Sequence, residues 1–150
     1  MEEIRQAGDA DRAEIQALVE AAYAIYLPRM GRRPGPMDDD YAARIAAGQA
    51  WVVRDEAGRL LALLVLERQP GFLLVDNVAV AEAGRGRGLA RRLLDFAEAE
   101  ARRLGYPEMQ LYTHRTMTEN QAIYRHLGWE LTRWATEKGF ERAYFRKAVA

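Results

Sequence analysis

Val78 to Leu94 reads V-A-V-A-E-A-G-R-G-R-G-L-A-R-R-L-L, and its character changes twice along its length. It opens as an apolar run with the look of a buried strand. Gly84, Gly86 and Gly88 then recur at every second position, and Leu89, Leu93, Leu94 and Ala97 follow at helical spacing. A strand, a glycine-rich turn and a helix start together present backbone N–H groups and the positive end of a helix dipole to an anion such as a phosphate. Glycine suits the turn because a side chain blocks close approach of a ligand and because some of these amides need positive φ.

The flanking sequence predicts alternating elements of an α/β domain. Ile4–Ala7 reads as a short strand. Asp9 and Asp11 place negative charge before a helix over about 10–26, with Ile15, Leu18, Val19, Ala22 and Tyr26 on one face. From Leu27 to Asp40, L-P-R-M-G-R-R-P-G-P-M-D-D-D, three prolines and two glycines predict a loop without regular structure. A second helix resumes at Tyr41 and stops at Gly48. Ala50–Arg54 and Leu60–Glu67 read as strands turned at 55–58, and Phe72–Val80 follows after Pro70-Gly71. The helix after the glycine turn ends near Leu104-Gly105. Met109–Thr113 then forms a fifth strand, parallel to Phe72–Val80 through a right-handed crossover. Thr118 and Gln121 form a T-x-x-Q capping box for a short helix reaching Leu127. Trp129–Thr136 and Phe140–Lys147 close the chain as a hairpin turned at Lys138-Gly139.

Composition narrows the functional classes. A chain of 150 residues with 49% hydrophobic and 29% charged residues fits one globular domain, 1–150. Zero formal net charge gives no electrostatic footprint for nucleic acid or an anionic membrane. The absence of cysteine removes disulfides, thiolate metal sites and a cysteine nucleophile, and two distant histidines make a poor metal-ligand set. No apolar run approaches the roughly 20 residues of a membrane span, and the acidic start has no signal-peptide pattern, so a soluble cytoplasmic protein is expected.

The glycine spacing does not fit the dinucleotide fingerprint G-x-G-x-x-G, and no lysine occurs before Lys138, so the phosphate-loop motif is absent. R-x-x-G-x-A, from Arg85 through Gly88 to Ala90, resembles the acetyl-CoA signature of the GNAT superfamily of N-acetyltransferases. A second stretch, N-Q-A-I-Y-R-H-L-G-W, supplies Asn120, Tyr124, Gly128 and Trp129, and is similar to the asparagine, tyrosine and G-F or G-Y of the family's helix after the fifth strand. Trp129 in place of Phe or Tyr departs from that pattern at a packing position. The two motifs and the order of elements extend the resemblance over nearly the whole chain.

The resemblance implies a mixed, splayed seven-stranded sheet flanked by about four helices. It implies acetyl-CoA as co-substrate, a primary amine as acceptor (small molecule, peptide or protein) and a homodimer. Val78, Val80, Arg85, Gly86, Arg87, Gly88, Ala90, Asn120 and Tyr124 are then the cofactor-binding candidates. The amide of Val80, or of Ala79, is implied as the oxyanion donor, and Tyr124 as the acid that protonates the leaving thiolate. The base stays open among Asp76, His114 and water. Asp76 lies on the same strand face as Val80, and an acid in the apolar run L-L-V-D-N-V-A-V is costly without a role or a partner. Asn77 points to the opposite face. Acceptor selection is implied for the loop between the first two helices and for the final hairpin, giving Tyr23, Tyr26, Arg29, Met37, Asp76, His114 and Trp134 as candidates, with Glu137 beside them. Asp38–Asp40 favour a cationic amine, whereas Arg29, Arg32 and Arg33 favour an acceptor that also carries a carboxylate. The alternative to catalysis is a CoA-binding regulatory or catalytically degenerate module.

Overall fold

The computed structural model describes residues 3–149; residues 1, 2 and 150, at the ends of the expected domain, lie outside the described residues. The elements are β1 (Ile4–Gln6), α1 (Arg12–Tyr23), α2 (Leu27–Met30), α3 (Tyr41–Ala46), β2 (Ala50–Arg54), β3 (Leu60–Gln69), β4 (Phe72–Val80), α4 (Leu89–Arg103), β5 (Glu108–His114), α5 (Thr118–His126), β6 (Glu130–Glu137) and β7 (Phe140–Ala148). They form a seven-stranded sheet in the order β1-β2-β3-β4-β5-β7-β6. The sheet is mixed. β4 and β5 run parallel, with Leu73 opposite Met109 and Leu74 opposite Gln110, whereas β1–β2, β2–β3, β5–β7 and β6–β7 are antiparallel.

The chain divides into two compact units, residues 1–66 with 77–94 and residues 67–76 with 95–150. In the first, Ile15, Leu18 and Val19 of α1 pack with Val52, Leu63 and Val65 of the sheet. That apolar stripe explains the helix, because positions three and four apart share a face. β3 is buried from Leu60 to Leu66, as expected of a strand covered on both faces. In the second unit β7 buries Ala143 and Phe145 on one face, and pairs with β6 through a turn at Lys138 and Gly139. Both turn residues have positive φ, 52° and 81°, which is the backbone twist that joins two adjacent strands tightly.

Two local expectations are corrected. The segment 27–40 is not devoid of regular structure, since it contains the single helical turn α2 and a 3-10 turn, Gly35–Asp38. Pro28 lies in the first turn of α2, where its missing N–H removes no helical bond, and Gly31 at φ 70° closes the turn by donating its N–H to the Leu27 carbonyl at 3.0 Å. The Thr118–Gln121 capping box does not form. Helix α5 already includes Thr118, whose hydroxyl bonds Glu119 at 2.9 Å, and Gln121 is buried and donates to the carbonyls of His114 and Arg115, both at 3.2 Å. A buried amide takes the nearest acceptors that complete its hydrogen bonds, and here these lie in the incoming turn.

Candidate functional site

In the first unit, β4 leads into a compact turn. Ala81 donates to the Leu61 carbonyl at 2.8 Å, and a 3-10 turn over Glu82–Gly84 follows. The three glycines have different reasons to be there. Gly84 is buried, and a Cβ on it would stand 2.9 Å from Leu89 Cδ1 and 3.1 Å from the Leu61 carbonyl oxygen. Gly86 and Gly88 adopt φ of 80° and 69°, and a Cβ on either would meet nothing within 4 Å. Residues Arg85 to Gly88 are exposed. The first bond of α4 runs from the Arg92 amide to the Gly88 carbonyl at 3.0 Å. The amides of Leu89, Ala90 and Arg91 therefore precede any intrahelical partner and project from a 15-residue helix. Open left-handed glycines before a long helix make a cradle that fits a pyrophosphate.

β4 alternates along its full length. Asp76, Val78 and Val80 share the half-exposed face, and Val75, Asn77 and Ala79 the buried one. Asn77, 3% exposed, accepts from the Tyr23 hydroxyl at 2.7 Å and donates to the Tyr41 hydroxyl at 3.1 Å. Tyr41 in turn donates to the Pro36 carbonyl at 2.5 Å. The sequence carried a signal for this cluster: an amide in an apolar strand, like the neighbouring acid, is costly without partners.

The charges of the 27–40 loop are largely engaged within the fold. Asp38 binds Arg33 at 2.8 Å, Asp39 binds Arg44 at 3.0 Å, and Asp40 caps α3 by accepting from the Ala43 amide at 3.0 Å. Arg33 also binds Glu20 at 2.8 Å. Of the acceptor candidates here, Met37 is 3% exposed within the apolar cluster and Tyr26 is buried, with the Arg29 guanidinium 5.5 Å from its ring centre.

In the second unit, α5 holds Asn120 and Tyr124 half-buried. The Tyr124 ring lies 6.1 Å from Trp129 and 6.0 Å from Phe145, and its carbonyl accepts from the Trp129 amide at 2.9 Å. Trp129 is buried, as its packing position requires. His114 lies at the end of β5 with Nδ1 2.9 Å from the Thr116 hydroxyl and 3.2 Å from the Thr116 amide. Accepting that amide requires an unprotonated Nδ1, which puts the proton of the neutral ring on Nε2. Trp134 and Glu137 lie on opposite faces of β6, since Trp134 is opposite Ala143 and Glu137 is opposite Phe140. Trp134 is 54% exposed. Glu137 shares its face with Arg142 and Tyr144, and burial, with a hydrogen bond to Glu137, pushes the Tyr144 hydroxyl above its ordinary value. His126 is exposed. Among the described residues no group of three or more His, Cys, Asp and Glu is arranged to hold a metal, and no helix is long and apolar enough to cross a membrane.

Comparison with known proteins fits this arrangement. A mouse protein named N-alpha-acetyltransferase 80 is 44% identical over 63 residues, 42% of this chain, which spans about a fifth (19%) of that relative's length. The PaiA N-acetyltransferase of Thermoplasma acidophilum, solved in complex with coenzyme A, superimposes with a TM-score of 0.78 at 14% identity, over 96% of this chain and 98% of its own. YncA of Salmonella typhimurium, a putative acetyltransferase solved with acetyl-CoA, gives 0.73 at 20% identity, over 100% and 95%. At such identities these structures show a shared fold. The family model described as "Acetyltransferase (GNAT) family" matches residues 15–129, the span that runs from α1 through the glycine turn to Trp129, and the chain accordingly belongs to that family.

Proposed function

We propose that the protein is an acetyl-CoA-dependent N-acetyltransferase, acting as one domain, in which a primary amine attacks the thioester directly. The observation that carries this reading is the exposed turn from Arg85 to Gly88, where Gly86 and Gly88 leave open space before the first-turn amides of α4. Those amides, with the backbone of Val78 and Val80, hold the pyrophosphate and pantetheine of acetyl-CoA; Asn120 and the Arg85 and Arg87 backbone add to the hold. A ligand of this kind suits the site because its charge is concentrated on phosphates that accept backbone N–H bonds. The acetyl complex of YncA and the coenzyme A complex of PaiA support this choice of co-substrate.

The amine must reach the thioester unprotonated, because an ammonium has no lone pair and its ordinary pKa is about 10.4. Asp76, directly or through water, removes that proton. His114 is the weaker candidate for the task, as its Nδ1 lone pair is occupied by Thr116. The Val80 amide stabilises the oxyanion of the tetrahedral intermediate. As the C–S bond breaks the electron pair goes to sulfur, and a thiol of ordinary pKa about 8.5 leaves more readily when the Tyr124 hydroxyl supplies a proton. Acceptor selection falls to the 27–40 segment, with Tyr26 and Arg29 near its start and Met37 holding it to the core, and to Trp134 on the final hairpin. The name of the mouse relative supports an amine acceptor.

Thiol release from acetyl-CoA across a panel of amines, with product mass, tests the reading. Release with at least one amine is expected, together with Tyr124→Phe lowering turnover by about 10²-fold while acetyl-CoA binding persists. Tight acetyl-CoA binding without release for any amine would support the non-catalytic CoA-binding module instead.

A further inference from the structure

The 27–40 segment is held by two sets of contacts of different physical character. The outer set is ionic and exposed. Arg33 bridges Glu20 of α1 and Asp38 at 2.8 Å each, with all three side chains more than 40% accessible. Exposed pairs of this kind are weak and screened by salt. The inner set is more buried and mostly neutral. Gln16 of α1 donates to the Met37 carbonyl at 3.0 Å, where Arg33 also donates at 3.4 Å, and Tyr41 donates to the Pro36 carbonyl.

The inner set reaches β4 through Asn77. The bonds form a directed chain in which the Tyr23 hydroxyl donates to Asn77 Oδ1, Asn77 Nδ2 donates to the Tyr41 oxygen, and the Tyr41 proton goes to Pro36. With the Tyr41 proton on Pro36, the Tyr41 oxygen accepts from the amide nitrogen, and the amide oxygen accordingly faces Tyr23. Asn77 is also the immediate neighbour of Asp76 and Val78 on the strand.

We propose that Asn77 is a positioning residue: the chain Tyr23–Asn77–Tyr41–Pro36 fixes the 27–40 segment against β4 as a built wall that selects the acceptor amine. The inference rests on the assignment of that segment to acceptor selection in the proposed function. It makes Asn77, on the face of β4 away from Asp76, a determinant of acceptor affinity without direct contact with the acceptor.

Asn77→Asp tests the chain with little change of shape. A carboxylate cannot donate to Tyr41, and the single Tyr41 proton must then serve either the carboxylate or Pro36. The charge-assisted bond is the stronger, so Tyr41 turns and Pro36 is released. Tyr41→Phe cuts the same link while keeping a ring in the core, and it serves as the test if the buried carboxylate prevents folding. In either variant KM for the amine should rise about tenfold, the worth of a lost buried hydrogen bond, with KM for acetyl-CoA within about twofold of the parent. Amide hydrogen exchange should quicken over residues 34–40 and stay unchanged in α4. Equal rises in both KM values, or unaltered exchange over 34–40 in the folded variant, would overturn the proposal. The exchange measurement decides the anchoring even if no amine supports thiol release, so failure of the enzymatic reading is distinguishable from failure of this one.

Discussion

Gly84, Gly86 and Gly88 look alike in sequence, at alternate positions of one turn, but physics separates them. Gly86 and Gly88 are left-handed in open space, so an added Cβ would cost backbone strain and, in the proposed function, stand where acetyl-CoA approaches. Gly84 is confined by a neighbouring carbonyl and the Leu89 side chain. Gly84→Ala should therefore destabilise the protein by about 1–3 kcal/mol through overpacking, with acetyl-CoA affinity of the folded protein little changed. Gly88→Ala should cost about 1–2 kcal/mol of left-handed strain and in addition weaken acetyl-CoA binding. Thermal unfolding with and without acetyl-CoA distinguishes them; a Gly84→Ala protein as stable as the parent would contradict the packing role. Sequence pattern identified the turn and offered ligand approach and positive φ as reasons for its glycines, with no packing role for Gly84. Whether a glycine is required by its φ or by its neighbours depends on side chains that arrive from elsewhere, here Leu61 of β3.

At the scale of the element, the 27–40 segment shows how charge read from sequence misleads. Asp38, Asp39 and Asp40 form a run that looks available to a cationic substrate, yet two are ion-paired within the fold and the third caps α3. Asp40→Ala should cost about 1 kcal/mol of stability by leaving the Ala43 amide uncapped, and should leave KM for the acceptor close to that of the parent. A large rise in amine KM at unchanged stability would instead restore Asp40 as a substrate contact. Strand faces were more legible. The alternation that placed Asp76 with Val80 and Asn77 opposite is the one β4 shows, because period-2 geometry is local. The parallel β4–β5 pairing was legible for a similar reason, since a strand, a helix and a strand leave few routes back to the sheet. The misplaced capping box arose one residue from the true helix start, where the Gln121 side chain donates to the His114 and Arg115 carbonyls instead of turning back to the Thr118 N–H.

At the scale of the whole molecule, one buried carboxylate makes a distinct contribution to stability in acid. Asp11 is 5% exposed, and Arg5, Arg54 and the Gly8 amide all donate to it, at 3.1, 2.7 and 2.8 Å. Burial raises its pKa, but these hydrogen bonds together outweigh burial and lower it from 3.8 to about 2. A depressed carboxylate contributes stability above its unfolded value. That contribution, about 2 kcal/mol, is complete above about pH 4 and is lost as pH falls through about 2. Asp11→Asn should be less stable by about that amount at neutral pH, and its unfolding free energy should vary less than the parent's between pH 4 and 2; parallel pH curves for the two proteins would refute the assignment. By itself the sequence determined the order of elements, the glycine cradle and the family motifs, because periodicity, φ preference and short spacings are properties of near neighbours. Only the tertiary structure decided that β7 inserts between β5 and β6, that the loop acids are already partnered, and that Asn77 meets Tyr23 and Tyr41, 54 and 36 residues away in the chain. A buried polar group announces in the sequence that it needs a partner, but which partner it finds is set by the packing that brings distant segments together.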